Sequence, residues 1–426
     1  MTRKTRLWEG VKSLLIVLLS LSALYLLSRS PLVLNSGLTS LLGDTGASSS
    51  APSSGLTNLP TAAIPGRIAV GSEKGLYGVQ YDQSAADELF DLTASLLGEA
   101  LRLAQAPTAI SERQWQARLS GECIYFDYTC PIPLSTLHAW LDGTEPSTVP
   151  PGSARFIMLA REKNGTLSLC YCPEEAGIFY TCPTTLEADL HLAPILGSVS
   201  PNGAFFAFEN KSLPDIIAPY TLLTGGEQSA AVYTSVTPTL LSDGSQTDTL
   251  LAALSFSDQN RANVSEGVLY VDGEDTLRLS GDGHIAYASS DSGKYPADPG
   301  LSGAVEAAWP LAEKTLGALC GQARLYLISA QESEEGEYTV TFGYMLDGCV
   351  VRLYDQGWAA RFRVSRGSIQ EFSLWLRTYT ASGQSQLLLP AEKAAAALTA
   401  LTHTTKELVI QYEDVGGTAQ PGWKAR

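Results

Sequence analysis

The stretch GYMLDGCVVRLYDQGWAARFRVSRGSIQEFSLWLR, residues 343–377, contains three segments in which apolar and polar side chains alternate. Alternation with a period of two indicates β-strands that are buried on one face. Asp347 and Gly348 between the first two segments fit a two-residue type I′ turn, which needs positive φ at both positions. No catalytic group is evident, so we predict an antiparallel meander that serves as a scaffold.

The elements around this meander complete an α+β fold. A helix is predicted over about 302–319, and Pro390 opens an Ala-rich helix on the other side. A last strand, ELVIQYEDV, leads to the C-terminal QPGWKAR. This order favours antiparallel sheets with helices packed on one face.

The folded part begins near Gly66. Leucines at helical spacing predict a helix over 84–106, and Ser111 is the predicted N-cap of a short helix that ends at Leu119. Strands with Asp-Gly turns are predicted over 255–289. We divide the folded part into an N-terminal α/β domain, a middle β-rich domain and a C-terminal α+β domain, over 66–190, 191–298 and 299–426.

An uncharged run from Ser13 to Ser28 follows four basic residues, which are Arg3, Lys4, Arg6 and Lys12. A helix that spans a bilayer needs about 20 apolar residues, and Leu32–Leu34 can extend the run if Arg29 snorkels. We therefore predict an uncleaved transmembrane anchor over 13–34. A cleaved signal peptide, which also has a basic start and an apolar middle, is the alternative, but no A-x-A site follows.

The basic residues before the anchor place the tail, residues 1–12, in the cytoplasm and the main body outside the cell. Ser20, Ser22 and Ala23 are the predicted positions of close approach to other membrane helices. Residues 35–65 are rich in Ser, Gly, Thr, Ala and Pro, which predicts a flexible tether. The chain has 44 acidic and 28 basic residues, a formal charge of -16, so nucleic acid is excluded as a ligand of the body.

No pattern in the chain points to catalysis, a metal or a cofactor. The chain lacks G-x-S-x-G, S-x-x-K and H-E-x-x-H motifs, and we predict that it is not an enzyme. The acidic run QESEEGEY, residues 331–338, is predicted to be a solvated loop. The four histidines do not have the spacing of metal ligands; they are His138, His191, His284 and His403.

Three of the seven cysteines lie close together, in SLCYCPEEAGIFYTCP. A turn centred near Ala176 would place Cys170 across from Cys182, and an exported domain permits a disulfide between them. The alternative is that these cysteines are reduced and buried as small apolar residues. A zinc site made of Cys170, Cys172 and Cys182 lacks an evident fourth ligand.

Four aromatic residues follow the alternation of the meander: Trp358, Phe362, Phe372 and Trp375. They are predicted to lie in the core, and the alternative is that some of them form an exposed patch for a partner.

Several segments together resemble the YycH/YycI family, and the length is nearer that of YycH. They are ISERQWQARLSGECIYFDYTCPIPL (110–134), SFSDQNRANVSEGVLYVDGEDTLRLSGDGHIAYAS (255–289), YTVTFGYMLDGCVVRLYDQGWAARFRVSRGSIQEFS (338–373), LPAEKAAAALTAL and QPGWKAR. The family consists of extracytoplasmic regulators of an essential sensor histidine kinase in Gram-positive bacteria. The resemblance implies a three-domain ectodomain whose last domain is YycI-like, and no catalytic residues.

The function that the resemblance implies is that of a membrane-anchored accessory regulator of a two-component sensor histidine kinase that controls cell-wall metabolism. Its expected partners are that kinase and a YycI-like protein, which it would contact in the membrane and outside the cell. One alternative is an exported module that binds wall fragments or peptides, which predicts an aromatic-lined groove. A cell-wall hydrolase is the other alternative, and it predicts a deep pocket with paired carboxylates or a triad.

Overall fold

The computed structural model describes eight ranges of the chain, which belong to one compact unit. They are 59–143, 149–173, 177–225, 228–240, 244–290, 293–353, 356–400 and 404–426. The predicted tail and anchor and most of the predicted tether lie outside these ranges.

The smaller of two sheets has nine antiparallel strands, in the order β3-β7-β6-β5-β4-β1-β2-β8-β9. The strands are β1 (Arg67–Ser72), β2 (Gly75–Val79), β3 (Thr108–Ile110), β4 (Cys123–Pro133), β5 (Ser153–Arg161), β6 (Thr166–Cys172), β7 (Phe179–Glu187), β8 (Ala204–Phe206) and β9 (Leu222–Thr224). The helices in this part of the chain are α1 (Gln83–Leu103), α2 (Glu112–Leu119), α3 (Leu134–Asp142), α4 (Ala188–His191) and α5 (Ala193–Ser198).

The first two helices begin at side-chain caps, of which the sequence predicted only the Ser111 cap of α2. The Asp82 carboxylate accepts a hydrogen bond from the Ala85 N–H at the start of α1. Ser111 and Gln114 form a capping box at the start of α2, in which each side chain bonds the backbone N–H of the other residue. Such caps satisfy donors that the first helical turn leaves unpaired.

Helices cover both faces of the smaller sheet, which corrects the expectation of helices on one face. Leu97 of α1 shares a buried cluster with Phe126 of β4. Trp115 of α2 shares a second cluster with Tyr125, which directly precedes Phe126 in the same strand. Adjacent residues of a strand point to opposite faces, so α1 and α2 lie on opposite sides of the sheet. The second face needs a cover because it too is apolar.

The larger sheet has thirteen strands and is mixed, since β17 and β21 are parallel and the other pairs are antiparallel. The order is β11-β12-β13-β14-β19-β18-β16-β17-β21-β22-β10-β20, and β15 pairs with β16. The strands are β10 (Gln228–Val236), β11 (Arg261–Val264), β12 (Gly267–Asp272), β13 (Asp275–Ser280), β14 (His284–Ser289), β15 (Arg324–Glu334), β16 (Glu337–Leu346), β17 (Cys349–Leu353), β18 (Ala360–Ser365), β19 (Ser368–Trp375), β20 (Thr378–Leu388), β21 (Leu408–Val415) and β22 (Thr418–Ala425). The helices are α6 (Gly244–Ala253), α7 (Gly300–Ala312) and α8 (Ala391–Thr399).

The meander has the predicted form. Asp347 and Gly348 have φ values of 49° and 75° between β16 and β17, as a type I′ turn requires. Helix α7 packs on one face of this sheet, where Trp309 contacts Phe342 with ring centroids 5.6 Å apart. The α+β class with antiparallel and mixed sheets is therefore confirmed.

Strand pairing crosses both of the predicted domain boundaries. Strands β8 and β9 fall in the predicted middle domain, yet they pair within the smaller sheet. Strand β14 falls in the middle domain too, and it pairs with β19 of the predicted C-terminal domain. One buried apolar cluster contains residues of both sheets.

Four buried charged side chains connect the two sheets; we call them the charge quartet. Three come from the smaller sheet and the fourth, Glu407, directly precedes β21. Arg67 lies 2.8 Å from Asp127 and 2.5 Å from Glu407. Arg155 lies 3.0 Å from Asp127 and 2.7 Å from Glu407. Their side chains are at most 11% exposed, so each charge depends on the others for compensation.

The two cations hold both carboxylates in the ionised form. Burial raises the pKa of Asp127, but Arg155 and Arg67 outweigh it and lower this pKa from 3.8 to about 2. Burial also raises the pKa of Glu407, and Arg67 and Arg155 again bring it below its ordinary value. Because the quartet contains two positive and two negative groups, it is neutral as a whole.

We expect Glu407→Gln to lower the free energy of unfolding by about 3–5 kcal/mol, because two buried guanidinium groups would then share one carboxylate. Urea unfolding of the purified protein measures this loss. The matched control is Glu371→Gln, which removes an exposed carboxylate 2.7 Å from Arg363 and should cost less than about 1 kcal/mol. Equal losses in the two variants would contradict a special role of the quartet.

The lowered pKa of Asp127 predicts a stability that depends on pH. Its contribution is complete above the ordinary value of 3.8 and is lost as the pH falls toward about 2, because the unfolded chain then binds the proton more readily. The difference in unfolding free energy between wild type and Asp127→Asn should therefore shrink over this window. Urea titrations at several pH values measure it, and a difference that stays constant down to pH 2 would refute the assignment.

Candidate interaction surface

The residues predicted to pack in the membrane, Ser20, Ser22 and Ala23, lie outside the described residues. Within the described ranges, every helix is too short or too polar to span a bilayer. Those ranges also hold no group of three His, Cys, Asp or Glu side chains arranged as metal ligands. His138 is buried in α3, His191 is the last residue of α4 and His284 is the first residue of β14. His403 lies outside the described residues.

The structure does not bring Cys170 and Cys182 together. Cys170 pairs with Thr181 across the β6–β7 hairpin, and Cys182 pairs with Leu169. This register differs by one residue from the predicted one, and a shift of one residue moves a side chain to the other face of the sheet. Accordingly, the two thiols belong to different buried clusters.

All seven cysteines are free and buried. The Cys170 thiol donates a hydrogen bond to the Thr181 hydroxyl over 3.4 Å. Burial raises the pKa of Cys182 and of Cys123 to about 12 in each case. Such thiols react slowly, because the thiolate is the reactive form.

We expect iodoacetamide at pH 8 to leave the native protein essentially unmodified. In denaturant, seven thiols should react whether or not a reductant was present beforehand, because the structure pairs none of them. Mass spectrometry of the alkylated chain counts them. A count of five thiols without reductant and seven with it would demonstrate a disulfide and contradict this arrangement.

A groove of about 730 Å³ lies between α2 and the turn that joins β5 to β6. The carboxylate of Glu162 accepts hydrogen bonds from Arg118 and Ser168, and that of Glu122 pairs with Arg161. The side chains that line the groove include no aromatic ring. It therefore has neither the aromatic lining predicted for a wall-fragment site nor a pair of free carboxylates.

The four aromatic residues of the meander divide between the two faces of the larger sheet. Phe362 and Phe372 are buried against each other on the inner face, with ring centroids 5.5 Å apart. Trp375 and Trp358 are only partly buried. The prediction of core positions is thus correct for the two phenylalanines, whereas the two tryptophans are half-buried and Trp375 also packs against the main apolar cluster.

The outer face of this sheet is the side opposite α7. Residues that face each other across successive strands run from Leu269 through Arg278, Ala286, Ser373 and Arg361 to Thr341. Intervening residues such as Leu374 point inward and are fully buried. Of this row, Arg361 is exposed, Arg278, Ala286 and Ser373 are half-buried and Thr341 is buried, while the other side of the strands forms the core.

Two contacts organise the centre of this face. The His284 ring stacks on Trp375 with centroids 4.3 Å apart, and its Nε2 atom lies 2.7 Å from the Ser373 hydroxyl. The Arg361 guanidinium lies over the Trp358 ring, 4.8 Å from the centroid. Arg361 and Ser373 are directly opposite each other, so the two contacts adjoin. We call these five residues the Trp–Arg surface.

The charges on this face differ in how they are compensated. Arg363 pairs with Glu371 over 2.7 Å, and Arg278 pairs with Glu266 over 2.9 Å. Arg361 forms no ion pair with any described residue, and its side chain is exposed. Burial lowers the pKa of His284 below 6.5, so this ring is neutral at pH 7. Within the described ranges, the Trp–Arg surface thus carries one positive charge without an ion-pair partner, that of Arg361 over the Trp358 ring.

Sequence reasoning did not single out Arg361 or His284. The sequence does contain a pattern that indicates the position of Arg361. In ARFRVS the arginines alternate with apolar residues, so the arginines must lie on the same face of the strand. The contact between His284 and Trp375 depends on the pairing of β14 with β19 across 80 intervening residues or more, which no local pattern specifies.

The two sheets, with helices packed on them and a common core, define a two-sheet α+β body. No family model and no curated protein matches the sequence. Among solved structures, the fold is similar to that of YycH from Bacillus subtilis, with a TM-score of 0.56 and 12% sequence identity. The similarity covers 86% of this chain and 95% of the YycH chain. The predicted YycH-like character is therefore confirmed at the level of the fold.

Proposed function

We propose that this protein is an accessory regulator of a two-component sensor histidine kinase and that it acts by contacts with other proteins rather than by catalysis. The observation that carries the proposal is the YycH-like fold, which extends over 86% of the chain. The family resemblance of five separate sequence segments supports the same role.

In the proposed arrangement, an anchor over 13–34 holds the two-sheet body outside the cell beside the kinase. Small residues at Ser20, Ser22 and Ala23 allow the anchor to approach the kinase's own membrane helices closely. The body contacts the kinase or a YycI-like protein. Each contact shifts the kinase between its signalling states only to the extent that it is stronger in one state than in the other.

The groove and the buried thiols do not favour the alternatives. Both groove carboxylates are engaged by arginine, and burial raises the pKa of thiols such as those of Cys123 and Cys182. A nucleophilic or acid–base mechanism needs an activated group within reach of a substrate. Protein contact is the function that the described surface supports best, because partly buried tryptophan and exposed arginine are typical of interface hot spots.

We expect replacement of Ser13–Leu27 by an unrelated spanning helix to reduce both co-purification with the sensor kinase from membranes and kinase signalling. Changing Ser20, Ser22 and Ala23 to Leu should also reduce co-purification and signalling, since larger side chains prevent the close approach of two helices. The control changes Leu18, Leu21 and Leu24 to Ile, which conserves apolar volume. Kinase autophosphorylation and a reporter of its response regulator give the readout.

Two results would contradict this proposal. Unchanged association and signalling after the full replacement would refute contact through the membrane helix. Recovery of the mature chain from the medium with its first residues removed would refute the anchor itself.

A further inference from the structure

The Trp–Arg surface combines features that need a partner to be complete. The exposed Arg361 lies over Trp358 and has no ion pair among the described residues. Across the strand pair, Ser373 holds His284 against Trp375. The described parts of the chain provide no carboxylate for Arg361 and no apolar group that covers both indole rings.

We propose that the Trp–Arg surface binds a segment of the sensor kinase that presents one carboxylate flanked by apolar side chains, with the carboxylate on Arg361 and the apolar side chains against Trp358 and Trp375. The inference rests on the proposed function and deepens it, since it states which face of the body meets the kinase and with what chemistry. An arginine that is held over a ring is already oriented, so it loses little freedom when a carboxylate binds.

Charge complementarity favours a protein segment with a single carboxylate over an anionic polymer. The chain has a net charge of -16, which repels a polyanion over most of its surface. Of the three arginines on this face, two are already neutralised, by Glu371 and Glu266. A polyanion would need several unpaired cations in a row, whereas a single carboxylate flanked by apolar groups needs only Arg361 and the two indoles.

The surface is built on strands rather than loops, which fixes its geometry. Phe362 and Phe372, the inward neighbours of Arg361 and Ser373, are buried. A substitution of the exposed Arg361 therefore leaves the packed side of its strand unchanged. Arg361→Glu can reverse the charge of the surface without disturbing the core.

The experiment measures binding between the full-length protein and the full-length sensor kinase, both in lipid nanodiscs, by microscale thermophoresis. Arg361→Glu should weaken binding by about 30-fold or more, the effect of losing an interface hot spot and opposing like charges. Trp375→Ala should weaken binding in the same direction. Arg113→Glu is the matched control, because Arg113 is exposed on α2 and the charge change is identical. Unchanged unfolding midpoints establish that the variants are folded.

Each outcome bears on one claim. Weaker binding for Arg361→Glu with normal binding for Arg113→Glu supports the inference, as does recovery when one acidic residue of the kinase is changed to Lys. Normal binding of both Arg361→Glu and Trp375→Ala overturns the inference and leaves the proposed function standing. Failure of the wild-type protein to bind the kinase overturns the proposed function and this inference with it. If Arg361→Glu impairs only self-association, or impairs only binding to purified wall polysaccharide, the inference is also overturned.

Discussion

The charge quartet is the constraint on which the arrangement of the two sheets depends. Arg67, Asp127 and Arg155 lie on neighbouring strands of the smaller sheet, and without Glu407 they would carry an uncompensated buried positive charge. Removing charges from water is costly unless opposite charges and hydrogen bonds replace the lost hydration. The smaller sheet therefore needs the segment before β21 to be in place, and this need couples the first strand of the body to its last hairpin.

The position of Glu407 is itself fixed by backbone pairing at the end of the chain. Its N–H and carbonyl exchange hydrogen bonds with Arg426 at 3.0 and 2.9 Å. Nearby, the Ile410 N–H donates to the Tyr81 hydroxyl, and Tyr81 meets Trp423 edge to face. The two sheets thus share polar contacts as well as an apolar core.

Local features of the fold were predictable from the sequence, and non-local ones were not. The Ser111 cap and the Asp347-Gly348 turn depend on residues within four positions of each other, so the pattern specifies them. The pair Arg67–Glu407 joins residues 340 positions apart. The pairing of Cys170 with Thr181 depends on the length of the turn between their strands. An error of one residue in the predicted register places a side chain on the opposite face of the sheet. The Trp–Arg surface depends on both local and non-local features. Alternation predicts which residues of a strand share a face, but it does not predict which strands pair.

The fold constrains the inner and outer faces of the larger sheet to different degrees. This difference explains how the fold can be shared at 12% identity. Strand pairing and burial require only apolar side chains of suitable volume at alternate inward positions, a condition that many sequences meet. Outer positions such as Arg361 and His284 contribute little to the core, so the fold constrains their identity only weakly. Similarity of fold therefore reports the inner residues, whereas the outer residues can differ between proteins that share the fold.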